Sequence, residues 1–164
     1  MAGKTWAAKG KTPVVLAPGQ RQSVNAASAV SATGAFWFAT YHGALTGGLF
    51  VELLKKLMWR RKQPLNLVLD GLPAHKTKRV HNYVASTKGR LSLRILPGYA
   101  PDPNPDKLIW SHAKRRGNAR RPLQQGEKFD ERVLKQLADV GDNRGLVRSF
   151  SLSTPLSPTF LTDE

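Results

Sequence analysis

Two short apolar runs, LNLVLD at 65–70 and LSLRILP at 91–97, flank a stretch that changes period. Between them, over 75–87, Val80, Tyr83 and Val84 recur at helical spacing. Strand, helix, strand in this order specifies a parallel pair joined by a right-handed crossover, hence an α/β sheet. The first run is almost continuously apolar, the pattern of a strand buried on both faces. In the second run Leu91, Leu93 and Ile95 alternate.

The remaining elements fall around this unit. SVNAASAV and AFWFATYHG are separated by SATG, a turn signal, and read as a hairpin with strands over 23–31 and 35–42. In the second of these, Phe36, Phe38 and Thr40 share one face, and Trp37, Ala39 and Tyr41 the other. Thr46 is placed to cap a helix over 46–60 with Leu49, Phe50, Leu53, Leu54, Leu57 and Met58 as its apolar stripe. A helix over 105–116 carries Leu108, Ile109 and Trp110. A last amphipathic helix over 127–140 uses Phe129, Val133, Leu134, Leu137 and Val140. The predicted order is β-β-α-β-α-β-α-α, with the four strands in one mixed sheet flanked by helices. From Ser149 the chain is rich in Ser, Thr and Pro and reads as a disordered tail, which leaves residues 1–148 as the domain.

Charge narrows the function. The 164 residues carry net +15, and residues 54–121 hold 17 Lys/Arg against Asp70, Asp102 and Asp106, a net of +14. Clustered positive charge of this kind neutralises phosphate, so DNA is the expected partner. Arg60, Arg61, Lys62, Lys114, Arg115 and Arg116 are the leading candidates for phosphate contacts; a solvated basic surface is the plainer use of the same residues. The absence of cysteine excludes disulfides and thiolate zinc sites. No apolar run is long enough for a membrane span, and MAGKTWAAKG lacks the apolar core of a signal peptide. The expected location is the bacterial cytoplasm, in association with the nucleoid, with no membrane partner.

Reactive groups in open α/β sheets gather at the carboxyl ends of strands. Asp70 ends LNLVLD, and the loop PGYAPDPNPD starts where LSLRIL ends. If the two strands are neighbours, Asp70 and the acidic loop share one edge, and paired carboxylates there would hold Mg²⁺ for phosphoryl transfer. A lone strand-end Asp serves equally as a helix N-cap or a loop acceptor.

LVLDGLPAHK, followed by RILPGYAPDPNP and by Trp110 after a short spacer, resembles the DDE transposases of the mariner-type superfamily, particularly bacterial insertion-sequence members. The likeness runs from TWAAKGKTPV through GNARRPLQQGEK to about LVRSF, roughly residues 5–150. It implies an RNase H-like fold and enzymes that cut and join DNA with three carboxylates and Mg²⁺ or Mn²⁺. On this resemblance Asp70 is the second catalytic acid and the metal ligand, and His75 is the family's histidine near the site, or else a structural cap contact. Tyr99, Pro101, Asn104 and Pro105 form the stiff loop that aims the next helix, and Trp110 anchors that helix in the core.

Two departures stand out. The third acid of the pattern falls two positions after Asn-Pro, where this chain has Lys107. An ammonium cannot ligate Mg²⁺ and repels it. Asp106 is one residue early, turned by about 100° on a helix, and is a weak substitute. Asp102, in the proline loop, would lie behind the ligands rather than among them. The first acid has no counterpart, since no Asp or Glu precedes Glu52. The expectation is a truncated, degenerate transposase domain, lacking its first, central strand, inactive alone and retaining DNA affinity. The alternatives are a standalone basic nucleic-acid-binding protein, such as an RNA-associated factor, or a subunit whose site is completed in trans by an upstream transposase polypeptide; a homo-oligomer is the other possible partnership.

Overall fold

The computed structural model describes residue 9 and residues 23–96, 105–115 and 127–153. It divides into two units: Met1–Tyr41 with Asn104–Glu164, and His42–Pro103.

In the second unit, α1 (Gly47–Met58) begins as expected at Thr46, whose Oγ1 accepts from the Leu49 amide at 3.2 Å. It buries Phe50, Val51, Leu53, Leu54 and Leu57; Val51 extends the predicted stripe by one position. Strands β3 (Leu65–Leu69) and β4 (Leu91–Ile95) pair in parallel, with Leu65 opposite Leu91 and Leu69 opposite Ile95. The helix between them starts later than its period suggested. Pro73–Lys76 forms a 3-10 turn, Thr77 is extended at ψ 148°, and α2 runs over Lys78–Ser86. The core joins Phe50, Val51 and Leu54 of α1 to Val80 of α2 and Leu91 of β4, with Leu65, Leu67, Leu69, Tyr83, Val84 and Leu93 packed around them.

Strand β3 is not buried on both faces. Its burial alternates: Asn66 and Val68 are exposed, while Leu65, Leu67 and Leu69 contribute to the core. The physical reason is the layering of this unit, in which the helical residues of the core meet the leucine face of the strand.

In the first unit, β1 (Asn25–Val30) and β2 (Phe36–Tyr41) form the expected antiparallel hairpin, with Asn25 opposite Tyr41 and Val30 opposite Phe36. Gly34, at φ 87°, supplies the left-handed turn residue. Three helices follow: α3 (Pro105–Ala113), α4 (Phe129–Asp142) and α5 (Arg144–Leu152). One cluster joins Ile109, Val140 and Val147 to Val30, Phe36 and Phe150. A second joins Ala113, Val133 and Leu137 to Phe36, Phe38 and Trp110. Leu134 lies 37% exposed, off the stripe it was assigned to, because Val133, Leu137 and Val140 carry the buried face of α4.

Two further expectations change. The sequence reading has no helix after α4, yet α5 covers Arg144–Leu152 and includes the first residues of the expected tail. Its start is fixed by Asn143, whose Oδ1 accepts from the Leu146 amide at 3.0 Å, and Val147 is its buried anchor. Residues beyond 153 lie outside the described part. The four strands also form two two-stranded ladders, β1–β2 and β3–β4, instead of one mixed sheet. Among the described residues each strand pairs only with its neighbour along the chain: the tight turn at 31–34 closes β1–β2 as a hairpin, and the crossover through α2 brings β4 beside β3.

Candidate functional site

Asp70 follows β3 directly, at the carboxyl end of the parallel ladder. The Leu96 amide donates to the Leu69 carbonyl at 2.8 Å, so the chain leaving β4 starts from the same edge. This is the neighbouring-strand arrangement that places reactive groups in open α/β sheets. The proline loop itself, residues 97–104, including Tyr99, Pro101, Asp102 and Asn104, lies outside the described residues.

Asp70 and His75 are brought together. His75 Nδ1 lies 3.0 Å from the Asp70 main-chain carbonyl and 3.2 Å from Asp70 Oδ1. A carbonyl oxygen only accepts, so a bond to it places the hydrogen on Nδ1. The imidazole is buried, 6% exposed, and packs against Phe50 with ring centroids 4.3 Å apart and planes tilted by 41°. The Asp70 carboxylate is 56% exposed. His75 therefore ties the strand end to the helical layer, while the carboxylate stays accessible to solvent. His75 and His81 also line a cleft of about 350 Å³ between α2 and β4.

Asp106 and Lys107 belong to the other unit, in the first turn of α3. Both Asp106 oxygens accept hydrogen bonds: Oδ1 from Ser28 Oγ at 2.6 Å, and Oδ2 from Trp110 Nε1 at 3.1 Å. Trp110 Nε1 also lies 2.8 Å from Ser28 Oγ. The three residues form a mutual polar contact between α3 and β1. Trp110 serves as the anchor the sequence suggested, and Asp106 has a structural task that the sequence did not reveal. Lys107 is solvent-exposed.

The donor set does not fit a Mg²⁺ or Mn²⁺ centre among the described residues. No group of three or more His, Cys, Asp or Glu lies together there. Asp70 offers one carboxylate, and each such ion takes several oxygen ligands. Asp106 has both oxygens engaged, and Lys107 contributes an ammonium where the transposase pattern has an acid. Glu52 pairs with Lys55 at 2.8 Å; that hydrogen bond first, and the ammonium charge next, hold its pKa below the ordinary carboxylate value.

The basic candidates divide into groups. Arg60, Arg61 and Lys62 follow α1 and line an open groove of about 970 Å³ together with Lys55, Arg90, Trp59 and Tyr83. The Arg90 guanidinium donates to the Arg61 carbonyl, joining the two sides of the groove. Trp59 and Arg90 escaped the sequence reading, and Tyr83 entered it only as part of the apolar stripe of its helix. An aromatic residue directly before a basic run was the available signal for Trp59; the other two need the fold. Lys114 and Arg115 are exposed at the end of α3, with Arg115 Nη2 folded back onto Ser111 Oγ at 2.7 Å. Arg116 lies outside the described residues. No helix among the described residues is long and apolar enough to cross a membrane.

Residues 1–130 match the family of DDE superfamily endonucleases. Among solved structures, the Mos1 transposase paired-end complex with left transposon end is similar, with a TM-score of 0.53 and 10% sequence identity, over 93% of this chain and 51% of that one. The chain thus spans about half the length of that transposase. No curated protein sequence matches it. With an Asp-ended parallel strand, a mixed α/β fold similar to that of the Mos1 transposase, and a family match over most of its length, the chain belongs to the DDE superfamily endonucleases.

Proposed function

We propose that this chain is a DNA-binding portion of a transposase-type endonuclease that does not by itself cut or join DNA. The observation that carries this reading is the state of the third-acid position. Lys107 occupies it, and the adjacent carboxylate, Asp106, is engaged by Ser28 and Trp110. Among the described residues, Asp70 is left as the carboxylate that ends a parallel strand, the position the resemblance gives to the second acid. One carboxylate cannot hold the pair of ions that stabilises the attacking and leaving oxygens in metal-dependent phosphoryl transfer.

DNA binding is supported by the net +14 of residues 54–121 and by the exposed cations that follow α1 and α3. The direct test is a supercoiled-plasmid nicking assay with Mg²⁺ or Mn²⁺ on the wild type, Lys107→Glu and Asp70→Ala. None should nick. Nicking by the wild type that disappears in Asp70→Ala would overturn the inactive reading. A partner polypeptide that supplies the first acid is the remaining route to activity. It would appear as nicking only when an upstream segment bearing an Asp-ended strand is added.

A further inference from the structure

The groove after α1 contains something that phosphate binding does not require. Trp59 is 75% exposed, the most exposed large apolar side chain among the described residues. It sits at the end of α1, immediately before Arg60, Arg61 and Lys62, and shares the groove with Tyr83 and Arg90. No carboxylate among the described residues lines that groove.

The plainer account of the cations is the helix dipole. Lys55 and Lys56 occupy the last turn of α1, and basic side chains near a helix C-terminus are stabilising. That account leaves two features unexplained. An indole gains nothing from the dipole and loses the burial free energy that usually holds a Trp inside. Arg60 adopts φ 58°, a left-handed conformation normally assigned to Gly or Asn at a helix end. A bulky residue kept in that conformation points to a requirement other than stability.

We propose that this groove binds single-stranded DNA, with an unpaired base stacking on the Trp59 indole and Arg60, Arg61, Lys62 and Arg90 taking the flanking phosphates. The inference rests on the DNA-binding reading above and adds the strand state of the ligand. In a duplex the base faces are already stacked on one another, so a duplex can use the cations but not the indole. Unpaired bases present open π-faces, and an aromatic platform beside a cationic track is the chemistry that holds them. Tyr83 provides a second, more sheltered aromatic surface in the same groove.

The test measures binding of the full chain to an oligothymidylate of about 12 nucleotides and to a duplex of similar length. It compares wild type, Trp59→Ala and Trp59→Phe at several salt concentrations, with melting curves to verify folding. Trp59→Ala should weaken single-strand binding about tenfold, leave duplex binding within about twofold, and leave the salt slope unchanged. Trp59→Phe should recover most of the loss. Tryptophan emission of the wild type should be quenched by the single strand and not by the duplex. If Trp59→Ala binds the single strand as the wild type does, or loses single-strand and duplex affinity equally, the inference is overturned while salt-dependent duplex binding still stands. A chain that binds neither nucleic acid at low salt overturns both readings.

Discussion

Trp110 Nε1 lies 3.1 Å from Asp106 Oδ2, one helical turn earlier on α3, and the other carboxylate oxygen accepts from Ser28 Oγ on β1. A carboxylate in the first turn of a helix also meets the positive end of the helix dipole. The acid nearest the third-acid position is thus part of the scaffold. Asp106→Ala should lower unfolding free energy by about 1–3 kcal/mol, because it leaves the partly buried Ser28 hydroxyl without its acceptor and Trp110 Nε1 with Ser28 Oγ alone. Divalent-ion affinity should not change. Urea unfolding and Mn²⁺ titration calorimetry measure the two separately; a clear loss of Mn²⁺ binding in Asp106→Ala would assign the residue to a metal site.

His75 and Asp70 should respond differently to substitution, although they touch. The short contact from His75 Nδ1 reaches the main-chain carbonyl of residue 70, which every side chain at that position retains. Asp70→Ala should therefore cost within about 0.5 kcal/mol, as expected for an exposed side chain. His75→Ala removes a buried ring packed against Phe50 and leaves the Asp70 carbonyl without its donor. About 2–4 kcal/mol should be lost. Equal effects in thermal and urea unfolding would mean that the carboxylate, not the backbone, carries the interaction.

Arg60 offers a case in which stability and binding should diverge. At φ 58° a glycine is at ease and an arginine is strained. Arg60→Gly should stabilise the fold, or leave it within about 1 kcal/mol of the wild type. The same change removes one cation from the groove, so duplex affinity should fall and the log–log salt slope should drop by about 1. Filter binding at a series of salt concentrations, beside a melting curve, tests both halves. A destabilised Arg60→Gly with unaltered DNA affinity would show that this arginine serves the helix end.

The parts of this fold legible in the sequence are those governed by neighbours along the chain. The Thr46 cap needs only Leu49, and the SATG turn needs only the strands it joins. The Asp-ended strand was legible for the same reason. The role of Asp106 was hidden because Ser28 is 78 residues away. Val68 misled because an apolar residue in an apolar run shows no alternation, and only the helical layer on the leucine face reveals which side is covered. Helix α5 was masked by Gly145, Ser149 and Ser151, which dilute the stripe that Val147 and Phe150 form. The left-handed turn at Arg60 carried no signal, since the residue that usually marks such a turn is glycine.

Gly34 connects the hairpin turn to the helix that the sequence hid. A Cβ at this position would stand 2.5 Å from the Arg144 carbonyl oxygen and 3.4 Å from Arg148 Cβ. The first contact is with backbone, at the start of α5, and cannot be relieved by a rotamer change. The residue also has φ 87°, where any L side chain is strained. The two costs add, because one arises within the turn and the other against α5. Gly34→Ala should therefore destabilise by about 2–4 kcal/mol. Gly43→Ala is the matched control: φ 74° imposes the same kind of strain, but no atom lies within 4 Å of its added Cβ. That variant should lose only about 1–2 kcal/mol. Urea unfolding of both variants separates conformational strain from steric conflict. If Gly43→Ala proves as costly as Gly34→Ala, the approach of α5 to the hairpin turn contributes nothing, and the position of that helix against β1–β2 must be revised.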